Sequence, residues 1–296
     1  MSFSRCKRRS FATLGVFAAA TALAACGGDD PMLVGDGEEP VSVEEGSALE
    51  HIHGLGVSPA DGRLFIATHN GLFAAPEGDT TPNQVGETTQ DIMGFSVIGP
   101  NRFIGSGHPA LDQNLPPHLG LIESRDGGNT WKNVSLLGGA DFHVLESASD
   151  QVYGFDGLQG RLMVSSNGGR NWRQRIPPGN VFALAIDPTS SSRVVVSTER
   201  GLFVSKNNGR DWRPLQQDLA GLLAWPSKDQ LYLVDDQGQV QVSSDDGADW
   251  QMQGDLGGQP AAFIAHENEL YAALTDGTVK RSTDGGASWT VRTNPS

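Results

Sequence analysis

From residue 51 onward the apolar residues of this chain fall in short runs cut by polar turns, and the same order of runs keeps returning. A first apolar run, often ending in proline, leads through a short turn to a second. A tight polar turn, a third run, a fixed polar phrase and a fourth run complete the unit. Short apolar runs bounded by Gly, Asn, Asp and Pro are read as strands. The first strands align as His51-Ile-His53-Gly-Leu55, Asp91-Ile-Met93-Gly-Phe95, Asp141-Phe-His143-Val-Leu145, Asn180-Val-Phe182-Ala-Leu184, Asp218-Leu-Ala220-Gly-Leu222 and Gln259-Pro-Ala261-Ala-Phe263. Six units of four strands predict an all-β, six-bladed propeller over residues 51–296, rather than one of seven blades. In unit 2, Pro109 to Pro117 is an insertion, and unit 1 has a degenerate phrase near Ala75 to Pro82.

The fixed phrase occurs five times. It reads Ser124-Arg-Asp126-Gly-Gly128-Asn-Thr130-Trp131 in unit 2, and its later copies carry Asn167 and Trp172, Asn207 and Trp212, Asp245 and Trp250, and Asp284 and Trp289. Asp or Asn before Gly makes a tight turn in which the side chain bonds nearby backbone amides. The tryptophan supplies a large apolar body to bury between blades. Tyr153, Tyr232 and Tyr271 share one position of the second strand, which is a packing column.

The phrase resembles the Asp-box, or BNR repeat, of sialidase-like β-propellers. The resemblance covers residues 51–296 and implies a propeller in which these turns are structural. His51-Ile-His53-Gly, Thr68 to Leu72, Ser106-Gly-His108-Pro109 and Asp141-Phe-His143 further resemble a group of bacterial exported propellers labelled glycosyl hydrolase. The family geometry also implies that the first strand begins, and the second-to-third turn opens, at one mouth of the central channel.

The segment before the repeats sets the compartment. Arg5, Lys7, Arg8 and Arg9 precede an apolar stretch from Phe11 to Ala25 that is too short to span a bilayer as a mature helix. It ends Leu23-Ala24-Ala25-Cys26, which resembles a lipoprotein signal and implies cleavage before Cys26, lipidation there, and export to the cell envelope. Gly27 implies the outer membrane if the source is Gram-negative. Residues 26–50 then form an acidic, glycine- and proline-rich tether. Cys6 and Cys26 are the two cysteines, so the repeat region has neither a disulfide nor a thiolate ligand. Without residues 1–25, 17 basic residues face 35 acidic ones, a net charge of −18. That charge argues against nucleic acid and anionic lipid surfaces and in favour of cations.

Candidate chemistry gathers at the mouth. His51 and His53 open the first strand of blade 1, Met93 and His143 take the equivalent place in blades 2 and 3, and His69 and His108 lie in second-to-third turns. His118 falls in the insertion, and His266 maps to the other end. Period two puts His51 and His53 on one side of their strand. His51, His53, His69, Met93, His108, Asp141 and His143 are therefore candidate ligands. Imidazole with thioether suits copper, and imidazole with carboxylate suits zinc or another divalent ion. An ion predicts at least three of the candidate imidazoles around one point. The alternatives are a glycoside hydrolase or carbohydrate-binding protein, and an assembly scaffold for a protein partner. Hydrolysis would draw on Asp91, Asp141, Asp156 or Glu199 and needs a carboxyl pair about 5–5.5 or 6.5–9.5 Å apart. A scaffold predicts an exposed apolar patch instead.

Overall fold

The computed structural model describes Leu49 and residues 51–295; the signal, Cys26 and the tether apart from Leu49 lie outside the described residues. The described strands are 24 in number and form six four-stranded antiparallel sheets, each built from consecutive strands. Blade 1 is β1 (Ile52–Val57), β2 (Leu64–Thr68), β3 (Gly71–Ala75) and β4 (Asn83–Gln84). Blade 2 is β5 (Asp91–Gly99), β6 (Arg102–His108), β7 (Leu121–Ser124) and β8 (Lys132–Ser135). Blade 3 is β9 (Phe142–Ala148), β10 (Gln151–Asp156), β11 (Arg161–Ser165) and β12 (Arg173–Arg175). Blade 4 is β13 (Val181–Asp187), β14 (Ser190–Thr198), β15 (Gly201–Ser205) and β16 (Arg213–Gln216). Blade 5 is β17 (Leu222–Ser227), β18 (Gln230–Val234), β19 (Gln239–Ser243) and β20 (Gln251–Asp255). Blade 6 is β21 (Pro260–His266), β22 (Glu269–Leu274), β23 (Val279–Ser282) and β24 (Thr290–Thr293). The protein is a six-bladed β-propeller.

The repeated phrase folds the same way in all five copies. The serine hydroxyl accepts the amide N–H of the glycine four residues on, as in Ser165 with Gly169 at 2.9 Å, and donates to the Asp or Asn side chain, as in Ser165 to Asn167 at 2.9 Å. That side chain in turn accepts the amide four residues on, as in Asn167 from Asn171 at 2.9 Å. That glycine has a left-handed backbone and lies against the preceding blade. A Cβ on Gly169 (φ +78°) would sit 2.0 Å from Leu121 Cδ2. Each phrase tryptophan packs against an apolar cluster shared by two blades, so the turn locks neighbours together. Tyr153 and Tyr232 are buried in two of these clusters, and Tyr271 in the cluster between the last blade and the first.

Because every blade uses its own four strands, the ring closes without a shared sheet, by side-chain contacts and one backbone hydrogen bond. Leu49, Ile52 and Leu55 of the first blade's side pack with Tyr271 and Val279 of the last. Arg292 on β24, only 6 % exposed, donates from Nη2 to the carbonyls of Ala75 at 3.0 Å and Pro76 at 2.7 Å in blade 1. The Asn294 amide reaches the Thr80 carbonyl at 3.0 Å.

The first strands line a central cavity of about 320 Å³, bounded by Leu55, Phe95, Glu146, Leu184, Trp225 and Phe263, with His266 at the end away from the other histidines. Trp225 lies over this cavity with the Arg193 guanidinium 5.3 Å from its ring. Near the start of five of these strands the pairing skips one residue: His53, Met93, His143, Phe182 and Ala261 are bulged. A bulge bends the strand and re-aims the extra side chain.

Candidate metal centre

Two carboxylates organise the mouth. Asp91 begins β5 and Asp141 directly precedes β9, and they are 7 % and 5 % exposed. Around Asp91 stand three imidazoles: His53 Nε2 is 3.4 Å from Oδ1, and His69 Nδ1 and His108 Nδ1 are 3.1 and 3.0 Å from Oδ2. Around Asp141 stand three more contacts to Oδ2: His108 Nε2 at 3.3 Å, His118 Nδ1 at 3.8 Å and His143 Nε2 at 3.0 Å. His108 thus faces one carboxylate with each ring nitrogen.

Local structure explains each placement. His69 sits in a turn held by Thr68, whose hydroxyl donates to the Gly71 carbonyl at 3.0 Å and accepts the Asn70 amide at 3.0 Å. His108 ends β6 opposite Asp91 in the ladder. The bulges turn His53 and His143 out of their pleats toward the channel rim. The insertion returns His118 to the same rim, where the His118 carbonyl accepts the Gly138 amide at 2.8 Å. The β9 start is pinned twice, by the Phe142 amide on Ser106 Oγ at 2.9 Å and the Asp141 amide on Asp156 Oδ1 at 3.3 Å.

Burial lowers the His53 imidazole below its ordinary value despite the Asp91 carboxylate, and His69, His51 and His143 add to the lowering. Burial alone would raise Asp141, but the bond from His143 and the neighbouring imidazoles bring it below the usual carboxylate range. The same bond raises His143, against a smaller opposing effect of burial. Of the buried side-chain polar atoms without a hydrogen-bond partner among the described residues, four belong to the imidazoles and carboxylates of this centre: His53 Nε2, Asp91 Oδ1, His118 Nδ1 and Asp141 Oδ1. Bare buried acceptors are costly, and here they point into a nest of metal-ligating side chains.

The other candidates fall into place around this centre. His51 lies before β1 with a positive φ of 57° and is exposed; its ring is 6.1 Å from that of His69, and the His53 ring is 6.3 Å from the same ring, so the two histidines flank one imidazole. Met93 is half-buried at the bulge of β5, two residues from Asp91. Asp156 is fully buried and paired to Arg161 Nε at 2.9 Å, and Glu199 is exposed and accepts the Asn180 amide at 2.7 Å. Both are occupied in holding turns. Rather than three candidate imidazoles at one point, the donors form two sets, each of two imidazoles and a carboxylate. His53, His69 and Asp91 offer atoms within 4.8 Å of one another, as do His108, His118 and Asp141. His118 was outside the expected ligand set because an insertion has no repeat register to align.

Residues 179–296, the last three blades, match a family described as a DUF6242 beta propeller domain. No curated protein matches the chain. Among solved structures, a chain of a nidogen/laminin complex is similar over 78 % of this chain and 93 % of its own, at 14 % identity and a TM-score of 0.59. The GH74 xyloglucanase from Xanthomonas campestris is similar over 83 % of this chain, at 17 % identity and a TM-score of 0.55, and the chain spans only 45 % of that enzyme. YCF48 from Cyanidioschyzon merolae is similar over 82 % of this chain and 84 % of its own, at 13 % identity and a TM-score of 0.50. At these identities the likeness shows the fold alone.

Proposed function

We propose that this is an exported propeller, anchored to the cell envelope through a lipid on Cys26, that binds a divalent or copper ion at the histidine-rich mouth of its channel. The observation that carries the metal reading is the pair of buried carboxylates, Asp91 and Asp141, each with one bare oxygen and each ringed by imidazoles. Imidazole and carboxylate without thiolate suit zinc, iron or copper(II). Three protein donors leave a coordination position for water or a small ligand. The net charge of −18 for the processed chain favours cation capture. The anchor rests on the sequence at Leu23 to Cys26.

The test is elemental analysis of the processed chain, followed by titration with zinc and with copper(II), beside an Asp91→Asn, Asp141→Asn double variant. Near-stoichiometric binding that the double variant loses is expected. Absence of binding, or binding that survives both substitutions, overturns the reading.

A second reading, a protein partner, has its own observation. Leu111, Leu115, Leu137, Leu158, Ile176 and Phe182 are exposed, and each lies in a second-to-third turn, after a fourth strand or at a first-strand bulge. Those positions share the mouth end of blades 2 to 4, the end that carries the centre. The glycoside hydrolase reading has less support. Asp91 and Asp141 stand on opposite sides of the His108 ring rather than flanking an open cleft.

A further inference from the structure

We propose that the mouth takes two ions, one at each carboxylate, with His108 as the link between them. This rests on the metal reading above and goes beyond it in number, arrangement and coupling.

The geometry divides the donors. His53, His69 and Asp91 make one compact set, and His108, His118 and Asp141 make another. Metal–ligand bonds of about 2 Å confine one ion to one such set. The two lone-pair directions of an imidazole diverge, so His108 cannot aim both nitrogens at a single ion. Its Nδ1 faces Asp91 Oδ2 at 3.0 Å and its Nε2 faces Asp141 Oδ2 at 3.3 Å, which places one nitrogen toward each set.

The bare polar atoms divide the same way. In the first set His53 Nε2 and Asp91 Oδ1 face each other at 3.4 Å without a hydrogen bond, and in the second His118 Nδ1 and Asp141 Oδ1 make none either. A single-ion site would account for one pair and leave the other buried and unsatisfied. Each set has two imidazoles and one carboxylate, a combination that holds a metal and keeps positions open. On double loading, two metal–nitrogen bonds form to His108, and the single N–H proton of the neutral ring passes to solvent to leave a bridging imidazolate. Second-row placement of His143 on Asp141 Oδ2 at 3.0 Å then orients that carboxylate.

The test uses copper(II) as the probe on the processed chain purified from membranes. Metal content and electron paramagnetic resonance are read together at full loading, with acid-released copper as the intensity standard. Two copper ions per chain, with the resonance reduced at least ten-fold by coupling across His108, is the expected result. His108→Ala should bind one copper, at the first set, with full intensity. One copper per chain in the unmodified protein overturns the two-ion inference and leaves the metal reading standing. Two copper ions with undiminished intensity overturn the His108 link. No copper overturns both. If His108→Ala fails to fold, Asp141→Asn serves instead, again with one fully visible copper expected, and two or none counting against the proposal.

Discussion

The ring of Phe142 lies 4.9 Å from that of Trp172, centroid to centroid and inclined by 37°. Phe142 is fully buried and sits between the two site residues Asp141 and His143, while Trp172 belongs to a repeated turn and donates from its indole to Ser135 Oγ at 2.9 Å. The turn that locks blades 2 and 3 therefore also fixes the strand that presents the site. Trp172→Ala should lower stability by about 2–4 kcal/mol, since a large aromatic leaves a cavity that closes only in part. It should also weaken metal binding at least several-fold while leaving every ligand in place. Paired denaturation and metal titration check both effects.

In each repeated turn the glycine whose amide the serine accepts has no room for a side chain. At Gly169 an added methyl group meets Leu121 of the neighbouring blade, and the backbone is left-handed as well. Gly169→Ala should cost about 2 kcal/mol or more, because strain and overpacking act together. Ser165→Ala should cost about 1–2 kcal/mol by stripping the Gly169 amide of its acceptor. Urea denaturation midpoints read both values.

Arg292 is the clasp between the last blade and the first. Arg292→Met keeps much of the packing and removes the donors to the Ala75 and Pro76 carbonyls. A loss of about 2–3 kcal/mol is expected for charged hydrogen bonds in a buried setting. Limited proteolysis should then cut first within residues 76–82, where the carbonyls are released.

The centre predicts a pH dependence of the ion-free protein. His143 is raised in the fold by its bond to Asp141, so its stabilising effect is full below about pH 6.5, the unfolded value, and fades as pH rises through the higher folded value. Asp141 is lowered, so its contribution persists until pH falls below about 4, the unfolded value. His143→Ala should therefore destabilise more at pH 5.5 than at pH 9. The difference should be about 1 kcal/mol or less, because His143 is partly exposed and solvent screens the pair. Melting curves at the two values decide it.

Glu146 gives a trend of its own. The protein surrounds it, and burial pushes its carboxyl up to about 8, although one side faces the central cavity and is only half-covered. A raised carboxyl costs stability progressively as pH climbs from about 4.5 to 8, where the unfolded chain is already ionised. Cavity water relieves part of that cost, so Glu146→Gln should raise stability at pH 8 by about 1 kcal/mol, or ~2–4 °C in Tm. At pH 4 the two proteins should melt alike.

Much of this was legible in the sequence, for reasons visible in particular residues. The repeated turn showed itself because one serine, one Asp or Asn and one glycine each have a separate bonding task. The column holding His53, Met93 and His143 was visible because all three occupy the same bulge. His118 escaped the expected ligand set because the insertion aligns with nothing. The roles of Asp91 and Asp141 as hubs became clear only from folding, because a carboxylate ringed by imidazoles and one capping a turn read identically in one dimension.

The bulge recurs in five blades, at His53, Met93, His143, Phe182 and Ala261. It decouples lining from framework, because the residue it carries is the one the strand ladder does not pair. The rim is thus a row of interchangeable sockets, where a single codon can swap imidazole for thioether, phenyl or methyl without disturbing the register. Phe182 and Ala261 are sockets in which this chain keeps no ligand, and they mark where a propeller of this plan could acquire another.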